Sequence, residues 1–204
     1  MGQRSQIYLR YNGKLIFANY YQWNYAERMI SRARYGLEWV KEYMKYDFVF
    51  RDESYITKMR RVFDVNFDMR DVQISCDIVQ EWEEQFSDED FNTVVFNGQD
   101  NNDGQLYIDI VDDKIFYCFR DWTNHEDGTT SDMIMSAEEY MAWDAGTRWA
   151  DHPEHNPAFD DCYLDASEIN ICRANIKSVE EMAELMTLEQ LDDFIHGDYA
   201  PKPF

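Results

Sequence analysis

The 204-residue sequence predicts a single α+β domain over residues 1–204, with an antiparallel sheet (an N-terminal hairpin plus a central three-stranded meander) packed with several helices. Three observations carry this. Apolar residues alternate with period two around Asn12-Gly13, recur at helical spacing from 26 to 44, and return to period two between about 93 and 120.

In QIYLRYNGKLIFANYY, Ile7, Leu9 and Tyr11 alternate with polar neighbours, and Leu15 and Phe17 follow the Asn-Gly pair. Asn-Gly suits a two-residue type I′ turn, because both central positions need positive φ. Ala26, Met29, Ile30, Ala33, Leu37, Val40 and Met44 then mark one buried helix face, with Asn24 as the expected N-cap. Arg28, Arg32, Arg34, Lys41 and Lys45 lie off that stripe, either as a wet face or as partners for the acidic remainder of the chain. Residues 51–91 read as mostly helical, with ESYITKMRRVF and DVQISCDIVQEWEEQF as the candidate helices. NTVVFNG, QLYIDIV and KIFYCFR read as the three strands of the meander, turning at QDNNDG and at Asp112-Asp113.

TSDMIMS is a candidate short strand, and Ser136 with Glu139 stands at capping-box spacing ahead of a helix. HPEHNPAFDDC holds two prolines and reads as loop, and 151–160 is the only linker candidate. SEINICRANI is a candidate strand. The last segment, SVEEMAELMTLEQLDDFIHG, carries capping-box spacing at Ser178/Glu181 and Thr187/Gln190 and reads as two short helices ending at Gly197. No period of 20–50 residues marks a repeat protein.

The chain is 45% hydrophobic and 16% aromatic, enough for a packed core despite its charge. A net charge of −22 opposes binding to nucleic acid or to anionic membrane, so direct DNA binding is not expected. No run of 18 apolar residues predicts a membrane helix. The start lacks a signal-peptide pattern, and Cys76, Cys118, Cys162 and Cys172 form no CxxC pair, so the expectation is a cytoplasmic protein with reduced thiols. The charge is unevenly spread. Residues 1–70 hold 13 Lys+Arg against 8 Asp+Glu, whereas 71–204 hold 6 against 33. A salt-adapted protein is acidic throughout; this one begins basic.

Chemistry-bearing motifs are weak. Asp100, Asn102 and Asp103 offer hard oxygens, but aligning Gly104 with the glycine of a calcium loop puts Gln99 and Ile110 at its first and last ligand positions. His152 and His155 are flanked by prolines that oppose a helix aiming both rings one way. His196 suits a helix C-terminus. Cys118 sits in the apolar strand IFYCF, and would need His125 or His152 brought to it by the fold to act as a nucleophile. There is no phosphate loop and no G-x-S-x-G. No catalytic residue, metal or cofactor is assigned.

The acidic half is the remaining signal. Residues three or four apart on a helix lie about 5–6 Å apart, and residues two apart on a strand about 6.6 Å, so carboxylates at these spacings can occupy phosphate-like positions. Glu81 with Glu84, Glu180 with Glu184, and Glu189 with Asp192 and Asp193 fit helical spacing; Asp88, Glu89 and Asp90 extend the first set, and Asp109, Asp112 and Asp113 add a sheet side. Trp82, Phe86 and Phe91 anchor the stretch VQEWEEQFSDEDF to a folded body.

The segment MGQRSQIYLRYNGKLIFANYYQWNYAERMISRARYGLEWVKE, roughly the first fifth of the chain, resembles the opening of uncharacterised proteins encoded by phages and mobile elements of Gram-positive bacteria. In composition the chain is similar to small acidic phage proteins, the anti-restriction and anti-CRISPR inhibitors that imitate DNA; that similarity transfers no residue. The resemblance implies a non-enzymatic inhibitor acting in a bacterial cytoplasm on a basic nucleic-acid-handling effector, such as a CRISPR nuclease or another ribonucleoprotein. The alternatives are an acidic interaction or assembly protein without mimicry, and a small hydrolase using Cys118 or the His152/His155 loop.

Overall fold

Positive backbone angles at Asn12 (φ 45°) and Gly13 (φ 78°) close the first hairpin, as a type I′ turn requires. A computed structural model describes residues 4–22, 24–64, 75–99, 103–148 and 166–199. β1 (Arg4–Tyr11) pairs antiparallel with β2 (Lys14–Gln22), and Ile16 is the extra residue where the register passes from Leu9–Phe17 to Arg10–Leu15. α1 (Ala26–Tyr43), a 3-10 turn at Asp47–Phe50 and α2 (Glu53–Asp64) follow. β3 (Ser75–Asp77) joins β2, and α3 (Ile78–Gln85) with a π-helical turn at Thr93–Asn97 leads into β4 (Gln105–Val111), β5 (Lys114–Asn124) and β6 (Thr130–Met135). α4 (Ala137–Arg148), α5 (Ala166–Met182), the two-residue β7 (Glu184–Leu185) and α6 (Leu188–Ile195) complete the described chain.

The fold is α+β. The hairpin and the meander form one sheet in the order β3-β2-β1-β4-β5-β6, with β7 alongside β5. The sheet is not antiparallel throughout: β1 and β4 run parallel over six residue pairs, and β7 lies parallel to β5. Alternation along the strands sends Ile7, Leu9, Phe17, Leu106, Ile108, Tyr117 and Phe119 to one face, under α1, α2, α4 and α5. Tyr8, Ala18, Tyr107 and Cys118 go to the other, under α3, the π-turn and α6.

Five local expectations are corrected. NTVVFNG is the π-turn rather than a strand: Val94, Val95 and Phe96 are all buried, and an unbroken apolar run has no period that separates strand from helix. β6 takes its place as third strand of the meander. SEINICRANI is helical, because Ile169, Cys172, Ile176 and Val179 stack along one side of α5; Ser178 therefore lies inside α5 and starts no helix. Asn24 does not cap α1, whose N-cap is Tyr25 without a side-chain bond. Asn24 is buried instead, donating to Ser5 Oγ at 2.7 Å and accepting from Arg32 Nε at 2.6 Å. Arg32 is correspondingly not on a wet face: it is fully buried, bonded to the Phe63 carbonyl and set over the Tyr21 ring. The capping boxes at Ser136/Glu139 and Thr187/Gln190 do form.

Gly36 lets α1 and α2 meet. A methyl group there would overlap the Phe63 ring, which also packs edge-on against Phe17. Gly36→Ala removes a helix penalty of about 1 kcal/mol, yet overpacking of this kind costs about 1–3 kcal/mol. The expected result is a net loss of stability in urea unfolding, recovered in part by Phe63→Leu.

Candidate functional site

The layer over the second sheet face is built from two distant stretches, residues 77–99 and 184–199. Asp77 starts α3 by accepting the N–H groups of Val79 and Gln80. Trp82 packs edge-on against Phe91, 5.0 Å between centroids, and its indole donates to the Glu89 carbonyl at 3.2 Å. The loop between them is therefore folded over α3. Asp90 ends it by accepting from the N–H and hydroxyl of Thr93 at 2.8 and 2.7 Å. Tyr8 on β1 donates to the Val95 carbonyl, fastening the π-turn to the sheet.

The second stretch closes on the first. Phe96 meets Phe194 and Tyr199, and Phe91 meets Tyr199, with centroids 5.5–6.1 Å apart. Asn92 donates to the Gly197 carbonyl at 3.1 Å. Burial pushes the Tyr199 hydroxyl up to about 12, so it remains a donor, and it bonds the Phe194 carbonyl. Residues 75–99 carry seven Asp or Glu and residues 184–199 carry five, with no Lys or Arg in either stretch. The result is a packed acidic layer rather than a tail.

The structure places the predicted residues differently. Glu84, Asp88, Glu89, Glu189 and Asp192 are exposed on this layer, and Glu81 is half-buried at its edge. Glu83 and Asp198, not singled out from the sequence, are exposed there as well. Asp90 and Asp193 belong to the layer but also hold it: Asp90 caps the π-turn, and Asp193 pairs with Arg10 at 2.9 Å. Asp112 and Asp113 are exposed in the β4–β5 turn, where Asn12 accepts the Asp112 N–H.

Asp109 is a correction, and Glu180 lies apart from this layer. Asp109 is only 4% exposed, and its two carboxylate oxygens accept from Arg10 Nε and Nη2 at 2.9 and 2.7 Å, so it offers no surface charge. The even positions of β4 face the first layer and the odd ones the second, and Asp109 falls under α6. Glu180 lies on α5, in the layer across the sheet, beside a small groove shared with Lys41, Lys114 and Glu184. Glu184 pairs there with Lys114 at 3.2 Å.

The first 70 residues reach the layer through Arg10 at Asp193 and Arg60 at Asp77. Arg34 pairs with Glu38 and Lys45 with Glu42, both within or beside α1, while Arg60 reaches Asp77 at 2.6 Å.

Cys118 lies under Met186, 3.7 Å between sulfurs, and burial pushes its thiol well up, away from the thiolate a nucleophile needs. His125 stands on the exposed β5–β6 turn, its ring bonded to Ser131 Oγ. His196 ends α6, its Nδ1 3.1 Å from both the carbonyl and a carboxylate oxygen of Asp192. Asp103 is buried and accepts the Arg4 N–H at 2.6 Å. Asp100, Asn102, His152 and His155 lie outside the described residues. Among the described residues no three His, Cys, Asp or Glu converge as metal ligands, and no helix is long and apolar enough to cross a membrane.

Two tests separate carboxylates that hold the fold from those that face water. Asp109→Ala leaves Arg10 buried with only the exposed Asp193 and is expected to cost about 3 kcal/mol in urea unfolding. Replacing both partners, Arg10→Met with Asp109→Leu, is expected to recover most of it. The Thr93 hydroxyl, then its N–H, hold the Asp90 carboxyl below the ordinary 3.8. Its contribution is thus complete above that value and fades as pH falls through the lower folded one. Asp90→Ala should lower the melting temperature at neutral pH, and the gap from wild type should close on acidification.

No family model, curated protein or solved structure matches this chain.

Proposed function

We propose that the chain is a non-enzymatic inhibitor from a phage or mobile element that acts in the bacterial cytoplasm. It captures a basic, nucleic-acid-handling defence effector, such as a CRISPR nuclease, on its acidic layer. One observation carries the reading: the α3 and α6 carboxylates share one packed layer whose own segments contain no Lys or Arg. A phosphate-binding groove meets there a fixed array of negative charge, which speeds encounter and displaces the counterions around both surfaces. Mutual repulsion within the layer is a standing cost, and the aromatic cluster of Phe91, Phe96, Phe194 and Tyr199 offsets it. The resemblance of the N-terminal segment to phage and mobile-element proteins supports the origin, and the buried Cys118 thiol argues against a hydrolase that uses it as nucleophile.

The test is charge reversal of the residues that face water without holding the fold. Glu84, Asp88, Glu89, Glu189 and Asp192 are changed together to Lys, leaving Asp90, Asp109 and Asp193 intact. The melting temperature is expected to stay unchanged or to rise as self-repulsion is relieved. Retention of basic nucleases from a bacterial lysate, and inhibition of DNA cleavage by a guide-loaded CRISPR nuclease, are expected to drop sharply, with a shallower salt dependence for the remaining binding. Equal inhibition by the reversed variant would move the contact off this layer. Retention of only acidic or neutral partners by wild type would favour an assembly protein whose acidity serves solubility.

A further inference from the structure

β6 ends the sheet, and among the described residues no strand lies beyond it. Its ladder with β5 runs without a break from Phe119–Met135 to Asn124–Thr130, and His125 donates its N–H to the Thr129 carbonyl at 2.8 Å. Bonded pairs alternate along an antiparallel ladder. Ser131, Met133 and Met135 therefore exchange bonds with β5, and Thr130, Asp132 and Ile134 turn their N–H and C=O outward. Thr130, Ser131 and Asp132 are exposed.

Natural sheets blunt such edges with Lys, Pro, a bulge, an inward charge or extreme shortness. The opposite edge, β3, is three residues long. β6 has six residues and no Lys, Pro or Gly. Its one charge, Asp132, is matched by Arg120 at 2.7 Å, so it does not repel an incoming backbone as a bare carboxylate would. On the same sheet face, a groove of about 750 Å³ runs between the β5–β6 hairpin and the 97–99 turn, with Arg120, Trp122 and Asn124 in its floor. The Arg120 guanidinium is already committed to Asp132, Asn97, Gln105 and Tyr107. From residue 121 to 147 there are seven Asp or Glu and no Lys or Arg.

We propose that β6 is a docking edge for an extended, lysine- or arginine-bearing segment of a partner protein. The segment adds to the sheet as a strand beyond β6 and sets its basic side chains among the acidic residues of the β5–β6 hairpin, with Glu126 and Asp127 exposed at its tip. The open backbone groups supply the strand ladder, and the local acidity selects its charge. A second copy of this chain is the disfavoured occupant, because two molecules of net charge −22 repel. The edge is a different surface from the α3 and α6 carboxylates, and the inference stands whether or not that layer binds an effector.

The probe is a fluorescent heptapeptide of alternating valine and lysine, titrated into the full chain beside the same peptide N-methylated throughout. Both carry the same charge and side chains, but only the first can donate to β6. The unmodified peptide is expected to bind at least about tenfold more tightly. On binding, the amides of Thr130, Asp132 and Ile134 are expected to gain protection in hydrogen exchange, while those of Ser131 and Met133 stay as they were. Thr130→Pro removes an outward N–H without touching the β5 ladder and should weaken binding. The five-lysine variant of the acidic layer should still give the amide protection and the N-methyl discrimination, so that failure of one reading is told from failure of the other. Absent binding, equal binding of the methylated peptide, or protection elsewhere would overturn the proposal. So would a peptide-free dimer that Thr130→Pro returns to monomer, since the edge would then belong to a second copy.

Discussion

Arg10 and Asp109 face each other across β1 and β4, the long parallel pairing that joins the basic N-terminal hairpin to the acidic meander. Both side chains are about 95% buried, and each would be costly without the other. The pair thereby fixes register at a junction with no turn to set it. A slip of one residue would carry Asp109 to the face occupied by Ile108 and Ile110 and place a carboxylate among aliphatic side chains. A slip of two would leave Arg10 opposite Tyr107 or Val111. The same guanidinium lies 4.6 Å from the centroid of the Phe194 ring and bonds the Asp193 carbonyl and carboxylate, so α6 docks on the pair as well.

From that anchor the charge distribution follows. The hairpin and α1 bring five of the twelve arginines, but Arg10 and Arg32 are spent inside the molecule, and Arg34 is paired along its own helix. The layer made by α3, the π-turn and α6 receives Arg60 at Asp77 and Arg10 at Asp193. The rest of the layer keeps its negative charge because the segments that build it contain no Lys or Arg. What holds it against its own repulsion is apolar: Trp82, Phe91, Phe96, Phe194 and Tyr199 interlock beneath the carboxylates. Salt should therefore screen the repulsion within the layer while leaving the apolar contacts that hold it largely unchanged.

Much of the chain was legible because its signals are local. Asn12-Gly13 specifies its turn, the apolar stripe from Ala26 to Val40 specifies α1, and Ser136/Glu139 and Thr187/Gln190 specify helix starts, each through neighbours within a few residues. The acidic character of residues 71–204 was equally plain, and so was the anchoring of the 79–91 stretch by its aromatics. Reading failed where period and burial conflict. Val94-Val95-Phe96 is apolar in sequence order and so fits strand or turn alike, and the apolar residues of α5 are too sparse to announce their spacing over a short window.

The sequence by itself determined the hairpin, the first helix, the capped helix starts and the sign of the surface, since propensity, capping and charge are written within a turn or two of chain. Only the tertiary structure decided that β1 runs parallel to β4, that Asn24 and Arg32 serve the core, that Asp109 is buried, and that residues 81–92 and 189–199 share one layer. Those outcomes depend on pairs up to 183 residues apart, such as Arg10 with Asp193, and no local pattern specifies a partner at that distance. A carboxylate looks the same in sequence whether a guanidinium or water will face it, and packing settles which.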